Sequence, residues 1–202
     1  MNQVEDLLLQ IAVILKGQDQ VWALVGGLAV SVRTEPRFTR DVDLAVAMTD
    51  DPSAEALVHS LRASGFRAMA TVEQEATHRL ATVRMAPFGE KPQGMMLDLL
   101  FASSGIEAEI CAEAEPLHVF QQIVVPVARV HHLIVLKLLA RDDRTRPQDA
   151  ADLRQLIAVA SQSDFTAACV AARTIEKRGY NRSRNLVEAV KNAWDEFRNL
   201  PK

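Results

Sequence analysis

Residues 25–44 read VGGLAVSVRTEPRFTRDVDL. A Gly26-Gly27 pair ends an apolar run, and thirteen residues separate it from Asp41-Val42-Asp43. Two carboxylates at i and i+2 inside an apolar, β-branched run point to the same face of a strand. Two like charges buried side by side are costly unless a cation sits between them. The usual cation for clustered aspartates is Mg²⁺, which takes hard oxygen ligands and shares its shell with substrate phosphates. The glycines supply the matching half, because a Gly-rich turn opening a short helix presents backbone N–H groups to phosphate. The two halves together point to a phosphoryl- or nucleotidyl-transfer site.

Further along, Asp98 lies inside the run MMLDLLFA (95–102). An acid in such surroundings needs a partner once buried. If its strand lies beside 41–47, the three aspartates meet on one face. Asp41, Asp43 and Asp98 are then the candidate metal ligands. Asp98 is also a candidate base for the attacking hydroxyl. Arg37 and Thr39 precede the pair at alternate positions. Thr39 is expected to orient the Asp41 carboxylate, and Arg37 to neutralise a phosphate or pair with an acid. Lys137 falls in an apolar helical run, where an ammonium calls for a buried anion or snorkels to the helix edge. Asp149 and Asp152 are three apart and share a helix face. Either is suited to hold Lys137 or Arg144, and Asp149 is preferred.

At 202 residues, 49% hydrophobic and 24% charged, the chain is a folded globular protein of one large domain or two small ones. Its most apolar stretch, VHHLIVLKLLA (130–140), is too short to span a membrane. Glu5 and Asp6 stand where a signal peptide would be basic, so a cytoplasmic location is expected. Cys111 and Cys169 offer no zinc spacing and read as buried free thiols. The charge is uneven. Residues 1–125 carry 9 Lys/Arg against 17 Asp/Glu, and residues 126–202 carry 14 against 9. The basic second half suits either a polyanion or a solvated helical surface.

Periodicity predicts a helix over 3–16, a strand in VWALVGG, a short helix over 27–33 and a strand over 41–47. A helix over 53–64 follows, then strands at 66–72, 78–86 and 95–102, a short helix near 105–112 and one strand near 118–127. Beyond it come four amphipathic helices, at 129–141, 147–160, 164–178 and 183–198. The fold class is α+β: a mixed sheet with flanking helices, then a C-terminal helical bundle. The expected division is an α/β domain over 1–127, including the N-terminal helix, and a helical domain over 128–202. His131 and His132 are neighbours on a helix and point about 100° apart. That reading leaves one packed, one exposed, and no shared metal. Trp22, Trp194 and Phe197 read as packing residues, and at 5% aromatics a base-stacking platform is not supported.

GGLAVSVRTEPRFTRDVDLAV (26–46) resembles the signature of the polymerase-β-like nucleotidyltransferase superfamily. The form G-G-x-A followed by R-x-T-x-D-h-D is similar to its AbiEii/AbiGii toxin branch. HHLIVLKLLARDDRTRPQDAADLRQL (131–156) resembles that branch's Lys on one helix, Arg in the next turn and acid-rich helix start. The resemblance covers roughly 22–156. It implies transfer of a nucleoside monophosphate from an NTP, with two Mg²⁺ ions held by Asp41, Asp43 and Asp98. It assigns nucleotide contacts to Gly26, Gly27, Arg37, Thr39, Lys137, Arg144 and Asp149. The acceptors it implies are RNA such as tRNA, protein hydroxyls or small molecules, and a cognate antitoxin is an implied partner. Two departures stand out. Gly27 replaces a frequent Ser, and Gln148-Asp149 replaces a frequent Lys-Asp. Two other readings are kept: a small-molecule, aminoglycoside-type nucleotidyltransferase, and a catalytically silent nucleotide-binding partner.

Overall fold

The quoted stretch folds as strand, helix and strand in the middle of a mixed sheet. The computed structural model describes residues 3–90, 94–142 and 147–198. Strand β1 (Trp22–Val25) is buried throughout and runs straight into helix α2 (Gly26–Arg33). Gly26 has φ +66, a left-handed conformation that glycine adopts without a Cβ penalty, and this permits the abrupt turn. Strand β2 (Asp41–Val46) returns antiparallel to β1, pairing Val25 with Asp43.

Helix α1 (Gln3–Gly17) precedes them and buries Val4, Leu7, Leu8, Ile11 and Leu15 at helical spacing. After β2 come α3 (Asp51–Ala63), β3 (Phe66–Glu73), β4 (Leu80–Pro87), β5 (Met96–Leu100) and α4 (Glu107–Ala112). Helix α3 starts where the Asp50 side chain accepts the Ser53 N–H at 2.8 Å. The hairpin β6 (Glu115–Phe120) and β7 (Ile123–Val127) follows. Among the described residues the sheet order is β3-β4-β5-β2-β1-β7-β6, so β2 is its middle strand. The β2–β5 and β1–β7 pairings are parallel, and the other four are antiparallel.

Helices α5 (Val130–Ala140), α6 (Pro147–Val159), α7 (Gln162–Lys177) and α8 (Leu186–Arg198) complete the chain. Helix α5 packs on α2, α6, α7 and α8, and α6 also reaches α2. This brings the helical half against the Gly26-Gly27 turn.

Several expectations need correcting. The single strand near 118–127 is a hairpin turning at Gln121-Gln122, which carries no Gly or Asn to announce it. Helix α7 begins before 164 because Ser161 and Asp164 form a capping box. Helix α8 begins after 183 because Arg182 and Ser183 occupy the left-handed region, at φ 51 and 58. His131 and His132 are both buried, at 6% and 3% exposure, so neither is the exposed member of the pair.

Both cysteines are free and buried. Burial, with the nearby Glu107 charge adding to it, pushes the Cys111 thiol up to about 12. A thiol reagent at pH 8 is therefore expected to leave the native chain largely unlabelled and to label both sites after denaturation. Rapid labelling of Cys111 in the native protein would contradict this packing. Among the described residues no helix is long and apolar enough to cross a membrane.

Candidate active site

Asp41 and Asp43 are half-buried on one face of β2, with Val42 wholly buried on the other. The parallel register of β2 with β5 sets Asp43 directly opposite Asp98. Asp98 is 8% exposed. The three aspartates thus come from two paired strands, and all line one cleft of about 450 Å³. That is the size range of small-molecule sites. Gly26, Gly27, Arg37, Thr39, Lys137 and Asp149 line the same cleft. Arg144 lies outside the described residues.

The helix α2 N-terminus closes one end. Val25 at its N-cap position has no side-chain oxygen, so the N-cap residue itself does not cap the first N–H groups. The Gly27 N–H turns to Asp43 instead. A Cβ built on Gly26 would run into the Asp43 carboxylate. Gly26→Ala therefore meets two obstacles, a positive φ and a collision with a site residue. It is expected to lose roughly 10²-fold in catalysis at this cleft, the scale of misplacing a reacting group by about 1 Å. Activity within a few-fold of wild type would show that the close approach is dispensable.

Electrostatics single out Asp43. Burial, then the charges of Asp98 and Asp41, raise its pKa to about 7, while Lys137 and the Gly27 N–H pull it down. Three of the cations near it are paired with other acids. Arg84 clasps Asp98 in a bidentate pair, Nε–Oδ1 at 2.8 Å and Nη2–Oδ2 at 2.5 Å. Arg37 clasps Asp152, Nε–Oδ1 at 2.6 Å and Nη2–Oδ2 at 2.7 Å. Lys137 Nζ lies 2.8 Å from Asp149 Oδ1 and 2.7 Å from Asp152 Oδ2. The described lining of the cleft holds no His or Cys. An oxygen-only donor set of three aspartates fits a hard divalent cation such as Mg²⁺. The three carboxylates do not converge within 4.8 Å in the manner of a single-ion cage.

The residues behind the cleft form a continuous chain: Arg37, Asp152, Lys137, Asp149. Asp152 is 1% exposed, so burial opposes its ionisation, and the hydrogen bonds from Arg37 and Lys137 outweigh that and lower its pKa. Lys137 is thus anchored by both acids, where one was expected. Arg37 pairs with an acid, one of its two expected alternatives. Its Nη2 lies where a Gly27 side chain would begin, 2.6 Å from a built Cβ. Glycine in place of serine at this position gives the guanidinium room. The Thr39 hydroxyl lies 3.4 Å from the Asp41 backbone carbonyl.

Arg84, Arg182, Ser103 and Gln148 also line the cleft and were missed as site residues. Arg84 shares the open face of β4 with Leu80 and Thr82, which hints at a residue facing a site. Its partner follows only from the β4–β5 register, which sets it opposite Asp98. Arg182, in its left-handed turn, and Ser103 carry no comparable signal.

Residues 7–199 match the family described as "Nucleotidyl transferase AbiEii toxin, Type IV TA system". No curated protein matches the sequence. A crystal structure of ANT(2'')-Ia in complex with adenylyl-2''-tobramycin is similar, with 16% identity and a TM-score of 0.51 over 98% of each chain. So is an antigenic nucleotidyltransferase-like protein from Paracoccidioides brasiliensis, at 18% identity and a TM-score of 0.50. That match covers 90% of this chain and 88% of the other. At these identities the likeness shows a shared nucleotidyltransferase fold.

Proposed function

The chain belongs to the AbiEii nucleotidyl transferase toxin family and is a nucleotidyltransferase. On that premise we propose that it moves a nucleoside monophosphate from an NTP to an RNA hydroxyl, with Mg²⁺ held by Asp41, Asp43 and Asp98. One observation carries this: two acidic positions on β2 and one on β5 face a glycine-opened helix start across a single cleft. The cation, when bound, would neutralise the triphosphate and polarise the phosphorus under attack.

The chain's own groups do the rest. The Gly26-Gly27 turn offers backbone N–H groups to phosphate oxygens, helped by the positive end of α2. Lys137 supplies a point charge to the triphosphate from a position held by Asp149 and Asp152. Asp98 takes the proton as the acceptor oxygen bonds to the α-phosphorus and the bond to pyrophosphate breaks. Both Asp98 oxygens accept from Arg84, and each keeps a second lone pair for that proton. Arg84 in turn steadies the carboxylate during the transfer. RNA is the preferred acceptor because residues 126–202 carry 14 Lys/Arg against 9 Asp/Glu. The family's Type IV toxin–antitoxin setting adds an antitoxin as a partner.

The test is incubation of purified protein with each labelled NTP, Mg²⁺ and total RNA. Label is expected in RNA, and is expected to vanish with chelator. Label transferred to an added aminoglycoside, with RNA unlabelled, would replace the acceptor. Nucleotide binding without turnover, unchanged in Asp41→Ala/Asp43→Ala, would leave a silent binding protein.

A further inference from the structure

A second cluster of ligating side chains lies outside the nucleotide cleft. Glu113 follows α4, and His131 and His132 stand in the first turn of α5. One ligand atom of each lies within 4.8 Å of the others. They border a pocket of about 270 Å³ that shares no lining residue with the nucleotide cleft. The two imidazole centroids are 4.1 Å apart with planes tilted by 49°, so side-chain rotation brings together two rings that backbone geometry sets apart.

His132 is 3% exposed, and its Nδ1 has no hydrogen-bond partner among the described residues. An orphaned, buried ring nitrogen beside a second imidazole and a carboxylate needs an explanation. His131 Nε2 lies 3.4 Å from Glu113 Oε2, and its Nδ1 lies 3.9 Å from Asp164 Oδ1. Asp164 thus stands near the distal nitrogen but beyond direct hydrogen-bond distance. We propose that Glu113, His131 and His132 bind a borderline transition-metal dication of the Zn²⁺, Co²⁺ or Ni²⁺ class, distinct from the magnesium site.

The chemistry of the donors selects this class. Two imidazole nitrogens and one carboxylate suit Zn²⁺ and its neighbours, whereas Mg²⁺ prefers oxygen. Three protein ligands leave a fourth position for water. Ligand atoms about 2.0–2.2 Å from a shared tetrahedral ion lie roughly 3.4 Å from each other, the separation that His131 Nε2 and Glu113 Oε2 already have, so any contraction needed falls on the His132 contacts. Glu113 can supply that movement, since its side chain is 51% exposed. The start of α5 and Arg129 both disfavour a cation here. Arg129 is itself paired with Glu115 at 3.3 Å, and Glu109 and Asp164 add negative charge around the site.

The experiment is a titration of chelator-stripped full-length protein with Co²⁺ in excess Mg²⁺, followed by its visible ligand-field absorption, then displacement by Zn²⁺. One equivalent of Co²⁺ per chain is expected, with affinity falling at least 10-fold in Glu113→Gln and in His131→Gln and unchanged in Asp43→Asn. The second-site reading is overturned by absence of saturable binding. It is equally overturned by binding that survives both substitutions, or by binding that disappears with Asp43→Asn. Glu113 is half exposed, so its variant keeps the fold and decides the matter even if His131→Gln does not. Circular dichroism checks that point.

Discussion

Asp43→Asn is expected to abolish nucleotidyl transfer, by at least about 10³-fold, while leaving the metal-free fold more stable at alkaline pH. The activity loss follows from the proposed role of Asp43 at the junction of Asp41, Asp98 and the Gly27 N–H. The stability gain has a different origin. Burial and two neighbouring carboxylates raise the Asp43 pKa to about 7. Between about 3.8 and 7 the folded chain therefore holds a proton that the unfolded chain has released. Folding stability in chelator must then fall as pH rises through that window, and level off above it. Asparagine removes the group that titrates. The variant's thermal midpoint should match wild type near pH 4 and exceed it by several degrees at pH 8. Saturating Mg²⁺ should raise the wild-type midpoint at pH 8 and leave the variant nearly unchanged. Scanning fluorimetry across pH, with and without Mg²⁺, reads all of this. A variant that melts well below wild type at pH 8 in chelator would make Asp43 a structural residue.

The parts of this site legible in the sequence are those whose chemistry is local. Asp41 and Asp43 announce one strand face by their spacing, and Gly26-Gly27 announces a turn into a helix by following an apolar strand. Asp98 is legible because an acid within MMLDLLFA demands a partner. The sequence points to a metal ion, and the structure adds Arg84, which meets Asp98 directly at 2.5–2.8 Å. That pairing depends on the antiparallel register of β4 with β5, which no local pattern encodes. The hairpin at 115–127 was read as one strand because Gln121-Gln122 lacks the residues that favour a tight turn. The histidine doublet was misjudged for a geometric reason. The 100° offset describes Cβ directions, and two rotatable bonds per imidazole can overcome it. Asp149 and Asp152 could not be separated because residues three apart on a helix reach the same partner, and Lys137 does contact both.

Asp152→Ala is expected to be the most destabilising single change around the cleft. Its carboxylate, with a side chain 1% exposed, accepts two hydrogen bonds from Arg37 and one from Lys137. Alanine would leave the Arg37 guanidinium without its partner at a site where its side chain is only 21% exposed. Lys137, 13% exposed, keeps Asp149 alone. Removing one member of a buried ion pair costs about 3–5 kcal/mol, because the other charge remains desolvated. For a chain of this length that is a drop of roughly 6–20 °C in Tm. The cost should belong to the stranded charge and not to the lost pair. Arg37→Met in the Asp152→Leu background replaces the pair with apolar groups of similar volume, and is expected to recover most of the Tm. Recovery of transfer should not follow, because Lys137 would still be held from one side only and the Arg37 charge would be gone from beneath Gly27. Stability regained without activity would separate the scaffold role of this ion-pair chain from its role in positioning Lys137. A single Asp152→Ala variant melting within about 2 °C of wild type would show that water reaches Arg37 and Lys137 freely, and that the chain from Arg37 to Asp149 does not hold the cleft together.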